Sequence, residues 1–382
     1  MVPLCRLCSR FSCAVLTALL VSHARLVAAP IPEVVAWDYN GAETTIPIGL
    51  SNVVAIAAGS FHSLALRADG TVVGWGGDSH GQTDIPSALS NVVAIAAGDE
   101  HSLALRADGT VVGWGQYGTP GVPTVIPIGL SNVVAIAAGG AFLGGHVSLA
   151  LLADGGVVGW WNDGAATRIP SGLSNVVAIA AGAFNSLALR ANGSVIGWNL
   201  LTGVETTFPS EFNNVVAIAV DYDHSLALRA DGRVVGPVPT GLSNVVEITT
   251  RVYGPSLALR ADGSVVGWDY YGALATIPAG LSKVVAIAGG AGNSLALRGS
   301  PPGLAAPEII GSPPLSSPLH GEATFRVSLP TRSGHVYRLE YVDSLNDSHW
   351  TPLPLLPGTG ALQTVIDPSA IAAQRFYRVR QW

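Results

Sequence analysis

An all-β fold, a seven-bladed β-propeller with ring closure between both ends of the array followed by a small β-sandwich, is what this sequence predicts, on three observations. The stretch Asn52-Val-Val-Ala-Ile-Ala-Ala-Gly, then Ser63-Leu-Ala-Leu-Arg, recurs with first positions Asn52, Asn91, Asn132, Asn175, Asn214, Asn244 and Lys283. The successive spacings are 39, 41, 43, 39, 30 and 39 residues, and a period near 40 marks a repeat fold. Each unit holds apolar runs of strand length separated by turn residues, with no helix-length pattern, as a propeller blade requires. Finally, Val34-Val-Ala-Trp37 matches Val72-Val-Gly-Trp75, while the unit starting at Lys283 ends after Ser294-Leu-Ala-Leu-Arg298 without such a run. Pairing residues 33–48 with that last unit would close the ring and remove two open sheet edges.

Within the first unit, Asn52 to Ala58 reads as the inner strand, Ala55 and Ala57 suiting the crowded space near the axis. Ser63 to Arg67 is the second strand, with Leu64 and Leu66 on one face of the pleat. Ala68-Asp-Gly-Thr71 makes a hairpin turn, because Gly accepts positive φ and Asp caps the turn locally. Val72 to Trp75 is the third strand, and a short outer strand is expected to end near Ile85-Pro86, where proline is tolerated at an edge. The unit at Asn214 departs from this plan. Its Arg233-Val-Val-Gly236 run enters Pro237-Val-Pro-Thr-Gly-Leu242 with no tryptophan, so that blade is predicted to lack its outer strand and to leave a notch for a partner strand.

Beyond the array, 299–320 is a Pro/Ser/Gly-rich linker. Residues 321–382, with 306 as an alternative start, carry alternating runs at Ala323 to Leu329, Val336 to Val342, Leu362 to Ile366 and Arg375 to Arg380, read as a small β-sandwich accessory module. At the other end, residues 1–29 have the organisation of a secretory signal: Arg6 and Arg10, then an apolar run from Phe11 to Val21, then small residues up to Ala29. All three cysteines (Cys5, Cys8, Cys13) fall in that segment, so the exported chain, with its propeller at 30–298, would need no disulfide. Export to the medium or the cell surface is the expectation. With a net charge of −6 and Lys283 as its sole lysine, the chain has no basic patch for nucleic acid. No apolar run reaches the roughly 20 residues of a membrane span.

The run Val73-Gly-Trp-Gly-Gly-Asp-Ser-His-Gly-Gln-Thr83, together with Ala58-Gly-Ser-Phe-His-Ser-Leu-Ala-Leu66, resembles the repeat of the regulator of chromosome condensation family. It is similar above all to the bacterial secreted branch that includes β-lactamase inhibitor protein II. The resemblance covers about residues 33–298. It implies a propeller; for activity, the eukaryotic relatives imply nucleotide exchange in the nucleus, a context that an exported acidic chain lacks. The inhibitor relatives imply protein binding through a propeller face, without transferring any inhibitory residue.

Comparison of the units with one another locates the candidate binding face. The turns between second and third strands are nearly constant (Asp69-Gly70, Asp108-Gly109, Asp154-Gly155, Asn192-Gly193, Asp231-Gly232, Asp262-Gly263), whereas the loops joining first to second and third to outer strands vary. On these variable loops stand Tyr117, Trp161, Tyr222, Tyr253, Tyr270 and Tyr271, with Asp99 and Glu100, as candidate ligand contacts; Tyr and Trp are frequent interface anchors. Tryptophans at the repeat position (Trp37, Trp75, Trp114, Trp160, Trp198, Trp268) are read as blade packing, and His62, His101 and His224, which alternate with Asn185 and Asn293, as structural hydrogen bonders. The Asp-Gly pairs are turn chemistry and lack the ligand spacing of a calcium loop. There is no nucleophile elbow, and no cofactor or metal is predicted. The function expected is a secreted, non-enzymatic binding protein for an extracellular protein or glycan. An extracellular carbohydrate-active enzyme and a structural adhesion protein are the alternatives.

Overall fold

The computed structural model describes residues 33–115, 124–140, 145–221, 224–250, 254–299, 325–331, 336–342, 350–358, 362–367 and 376–381. The expected signal segment, and the expected linker apart from Gly299, therefore lie outside the described residues. Every described element is a strand or a turn, and the repeats form a succession of antiparallel sheets. The first consists of Val53–Ala58, His62–Arg67 and Val72–Gly76 in that order, and each later repeat copies it.

Each repeat begins on a left-handed residue. Asn52, Asn91, Asn132, Asn175, Asn214 and Asn244 have φ between 50° and 57°, and Lys283 has φ 55°. Asparagine is the side chain that best tolerates this region, which explains its recurrence where the sequence alone shows only a strand start. The kink is followed by a bulge, since Val53 opposes Arg67 but Ala55 opposes Leu66. At the far end of the second strand the Asp-Gly turn closes with Thr71 N–H donating to Asp69 Oδ1 at 3.0 Å. Hydrogen bonds from Thr71, chiefly its hydroxyl, hold the exposed Asp69 carboxyl below the usual carboxylate range.

The outer element differs from expectation. Among the described residues, only the fourth repeat builds an outer strand, Glu205–Thr206, against Val195–Asn199; three others are reduced to single bridges, Trp37↔Glu43, Trp160↔Ala166 and Trp268↔Leu274. The segment is held by side chains instead of a ladder, because its Ile-Pro step removes a donor. Ile85 and Leu89 pack in one cluster with Trp114 of the next repeat, Ile126 and Leu130 with Trp160, and Ile169 and Leu173 with Trp198. Each repeat thus seats its tryptophan on the rim of its predecessor.

This rule accounts for the irregular fifth repeat. Its third strand shrinks to Val234–Val235, and Pro237 takes the tryptophan position. The preceding rim answers with Phe208 and Phe212, whose rings stack 4.6 Å apart and fill the vacated volume. The predicted notch needs correction: Val238 and Leu242 still pack in the cluster that contains Trp268, whose indole N–H donates to Pro237 O at 2.8 Å. What the 30-residue spacing removes is the loop ahead of the rim; an outer strand is built, among the described residues, by the fourth repeat alone.

The two ends of the array meet. Glu33–Trp37 pairs antiparallel with Ser294–Arg298, from Glu33↔Arg298 to Trp37↔Ser294. Trp37 is fully buried in a cluster with Ile277 and Leu281 of the sixth repeat, the same kind of seat that the other tryptophans take. The last repeat also abuts the first: Gly292 N–H donates to Ser60 O at 2.8 Å, and Asn293 Nδ2 donates to Ser63 Oγ.

The C-terminal residues form two sheets, Phe325–Pro330 with Leu362–Asp367, and Thr351–Pro357, Val336–Val342 and Phe376–Gln381 in that order. Thr351–Pro357 is a strand that the sequence pattern does not predict, because Pro352, Pro354 and Pro357 argue against one. It is tolerated because it sits at the sheet edge. That strand reaches the array: Leu355 N–H donates to Ala191 O at 3.0 Å, and buried Leu355 and Val336 join a cluster with Val177, Val215 and Val216.

Candidate functional site

Two sets of loops emerge at one end of the sheets. Gly77 N–H donates to Phe61 O at 2.7 Å and Leu200 N–H to Phe184 O at 2.7 Å, so the loop after the first strand and the loop after the third strand lie side by side. The Asp-Gly turns are at the opposite end, against the next repeat's start, with Val92 N–H donating to Gly70 O at 3.3 Å. The assignment of two faces from the repeat pattern therefore describes the molecule.

Two tips of the loop face are tied by side-chain-to-backbone hydrogen bonds. Asp269 Oδ1 accepts the N–H of Tyr271 at 2.9 Å and of Ala273 at 2.8 Å; Asp38 Oδ1 accepts those of Asn40 and Ala42, each at 2.9 Å. This side-chain turn lifts the residue after the aspartate away from the sheet. Tyr271 is 88% exposed and Tyr270 54%, their rings 5.1 Å apart and nearly perpendicular. Tyr270 also lies against His224 of the fifth repeat, centroids 3.9 Å apart. His224 is held by Asp221, whose Oδ2 accepts the Thr250 hydroxyl at 2.8 Å.

Tyr39 and Phe61 are also exposed on this face, and the comparison of repeats does not single them out. A signal exists: Asp38-Tyr39 and Asp269-Tyr270 occupy the same repeat position, but the first stands in the N-terminal half-blade. Trp161 pairs with Val147 at the end of its strand and is half-buried against the core. Tyr117, Tyr222 and Tyr253 lie outside the described residues.

Asp99 and Glu100 require a correction. Both are buried, at 3% and 4% exposure, beneath the loop face instead of on it. Glu100 Oε2 lies 3.4 Å from His80 Nδ1 and 3.8 Å from His146 Nε2, drawing together loops of the first three repeats. Burial pushes the Glu100 carboxyl above its ordinary range, with His80 opposing and Asp99 adding to the rise. His62 and His101 act structurally, as expected: each Nε2 meets a serine hydroxyl of the next repeat at 3.0 Å, Ser102 and Ser148 respectively. Among the described residues no group of three His, Cys, Asp or Glu side chains is placed to hold a metal. Nor is any described helix long and apolar enough to cross a membrane.

The profile of the regulator of chromosome condensation (RCC1) repeat matches residues 53–82 and 92–116. Curated protein sequences give no significant match. Among solved structures, Prp20p of Saccharomyces cerevisiae superposes with a TM-score of 0.54 at 16% identity, covering 71% of this chain and 92% of Prp20p. Human WBSCR16 gives 0.53 at 17% identity, over 70% of this chain and 98% of its own length. The fold is thus shared with these proteins across most of their lengths. The first two repeats thus match the regulator of chromosome condensation (RCC1) repeat, and the all-β fold of the chain is similar to that of the propellers built from such repeats.

Proposed function

We propose that this chain is a secreted, non-enzymatic binding protein whose closed, seven-bladed propeller presents the loop face to an extracellular protein or glycan. The observation that carries the reading is the set of exposed rings at Tyr39, Tyr270 and Tyr271, held on aspartate-locked turns. Aromatic side chains ordered before binding lose little entropy on contact, which is what an anchor requires. The organisation of residues 1–29 supports export. The structure of Prp20p is described together with its binding to Gsp1p and histones, which supports a binding role for this fold.

The test is capture by the immobilised chain from secreted protein fractions and on a glycan array, repeated with Tyr270→Ala/Tyr271→Ala. The double variant should lose about 10-fold or more in affinity, corresponding to roughly 1–3 kcal/mol. Full retention there, with loss on substitution at the Asp-Gly turns, would place the site on the wrong face.

A further inference from the structure

Charge is sorted between the two ends of the sheets. Arg67, Arg106, Arg190, Arg229, Arg260 and Arg298 all close the second strand, beside the Asp-Gly turns. Arg233 and Lys283 stand at the same end, and Glu33 there is paired with Arg298 at 3.4 Å. The variable loops carry Asp38, Asp78, Asp99, Glu100, Asp163, Asp221 and Asp269 against Arg251, with Arg168 at the edge of this end, its backbone N–H donating to Leu200 O at 3.3 Å. The acidic end therefore has almost no cation of its own to neutralise it.

Three features make this end a surface for a ligand and not merely a solvated one. In Asp38, Asp163 and Asp269 one carboxylate oxygen is tied to backbone N–H groups, so each charge is fixed in place. The second oxygen accepts no hydrogen bond among the described residues. Beneath them, Asp99 is buried with Oδ2 unpartnered, and Asn162, at 8% exposure, has neither side-chain polar atom satisfied. Lastly, the exposed rings of Tyr39 and Tyr271 stand beside these carboxylates, each on the turn that an aspartate locks. Rings next to carboxylates suit ammonium and guanidinium groups, which gain from both.

We propose that the loop face docks a basic polypeptide segment, its lysine and arginine side chains set among Asp38, Asp78, Asp163 and Asp269 and against Tyr39 and Tyr271. This rests on the loop face being the binding surface and names the chemistry of its partner. The opposite end is unsuited: its acids are matched by arginines, and the C-terminal strand Thr351–Pro357 already bonds to Ala191 there. Fixed charges facing a cation also steer its approach, so the association rate should fall steeply with salt.

Two triple variants of equal charge change provide the test, with a fluorescein-labelled decalysine peptide as probe and decaglutamate as control. Asp38→Asn/Asp163→Asn/Asp269→Asn alters the loop face; Asp69→Asn/Asp108→Asn/Asp262→Asn alters the other. Asparagine is native at the repeat position of Asp38 and Asp269, as Asn199, and at that of Asp69, Asp108 and Asp262, as Asn192, where its Oδ1 accepts the N–H two residues on. Asp163, further along its loop, accepts one N–H of the same kind, which an asparagine Oδ1 can also accept, so both variants keep the fold. The loop-face variant should bind decalysine about ten-fold more weakly or worse, the other within roughly two-fold of the parent. Equal losses in both, or no decalysine binding by the parent, overturn the proposal. If the parent ignores decalysine yet captures a neutral glycan or an acidic protein through Tyr270 and Tyr271, this proposal falls and the broader reading stands.

Discussion

Glu247 stands where six other repeats have Ala55, Ala94, Ala135, Ala178, Ala217 and Ala286, in an inner strand. Burial pushes its carboxyl up to about 8, with the backbone N–H of Ile287 in the neighbouring repeat pulling the other way. A folded value above the unfolded one means that the native state holds the proton more tightly between about 4.5 and 8. Stability should therefore be fully present below pH 4.5 and decline as pH rises through that window. Glu247→Gln has no proton to lose and should gain on the parent by about 1–3 kcal/mol at pH 8, and by nothing near pH 4.5, in denaturant melts at both values. A variant less stable than the parent at pH 8 would mean that the ionised carboxylate is favourably paired. At the same scale, Lys283 occupies the left-handed position that asparagine fills in the other repeats.

At the scale of the element, the rim segment acts as a seat for the next repeat's tryptophan more than as a strand. The fifth repeat shows how far this unit can be shortened. Pro237 supplies the carbonyl that Trp268 needs, as Gln82 does for Trp114 at 2.9 Å, so a shorter path makes the same bond. What is lost is ladder: Val234–Val235 is two residues long where Val72–Gly76 is five. Amide exchange in residues 232–242 should therefore exceed that in 70–80 by roughly ten-fold or more. Equal protection would show that the side-chain seat alone holds the rim as firmly as a strand does.

For the whole molecule, the N-terminal strand completes the last sheet and provides Trp37 for the rim of the sixth repeat. Deleting residues 30–48 removes both, and opens the interface through which Gly292 and Asn293 reach Ser60 and Ser63. Repeat arrays draw their stability from neighbour contacts, so the melting temperature should drop by roughly 10 °C or more. An unchanged melt would refute closure by this strand. The C-terminal strand Thr351–Pro357 meets the array at Ala191, at the end of the sheets that carries the Asp-Gly turns.

Much of this architecture is written in period and composition. The repeat length, the three inner strands, the Asp-Gly turns and the complementary half-blades come from spacing, because each depends on local propensity and on identity between units. The division into a constant and a variable face is legible too, since strand alternation dictates which loops share an end. The rest is nonlocal. The burial of Asp99 and Glu100 depends on His80 and His146, which come from other repeats, so no window around residue 100 could reveal it. The outer strand is over-read from sequence because its Ile-Pro motif is apolar like a strand but gains its stability from a tryptophan some 30 residues away. The contact of Tyr270 with His224 joins two repeats, and only the packed sheets bring them together. Local chemistry sufficed for the scaffold; the face it offers is decided by contacts between repeats, whose energies depend on burial and distance in three dimensions.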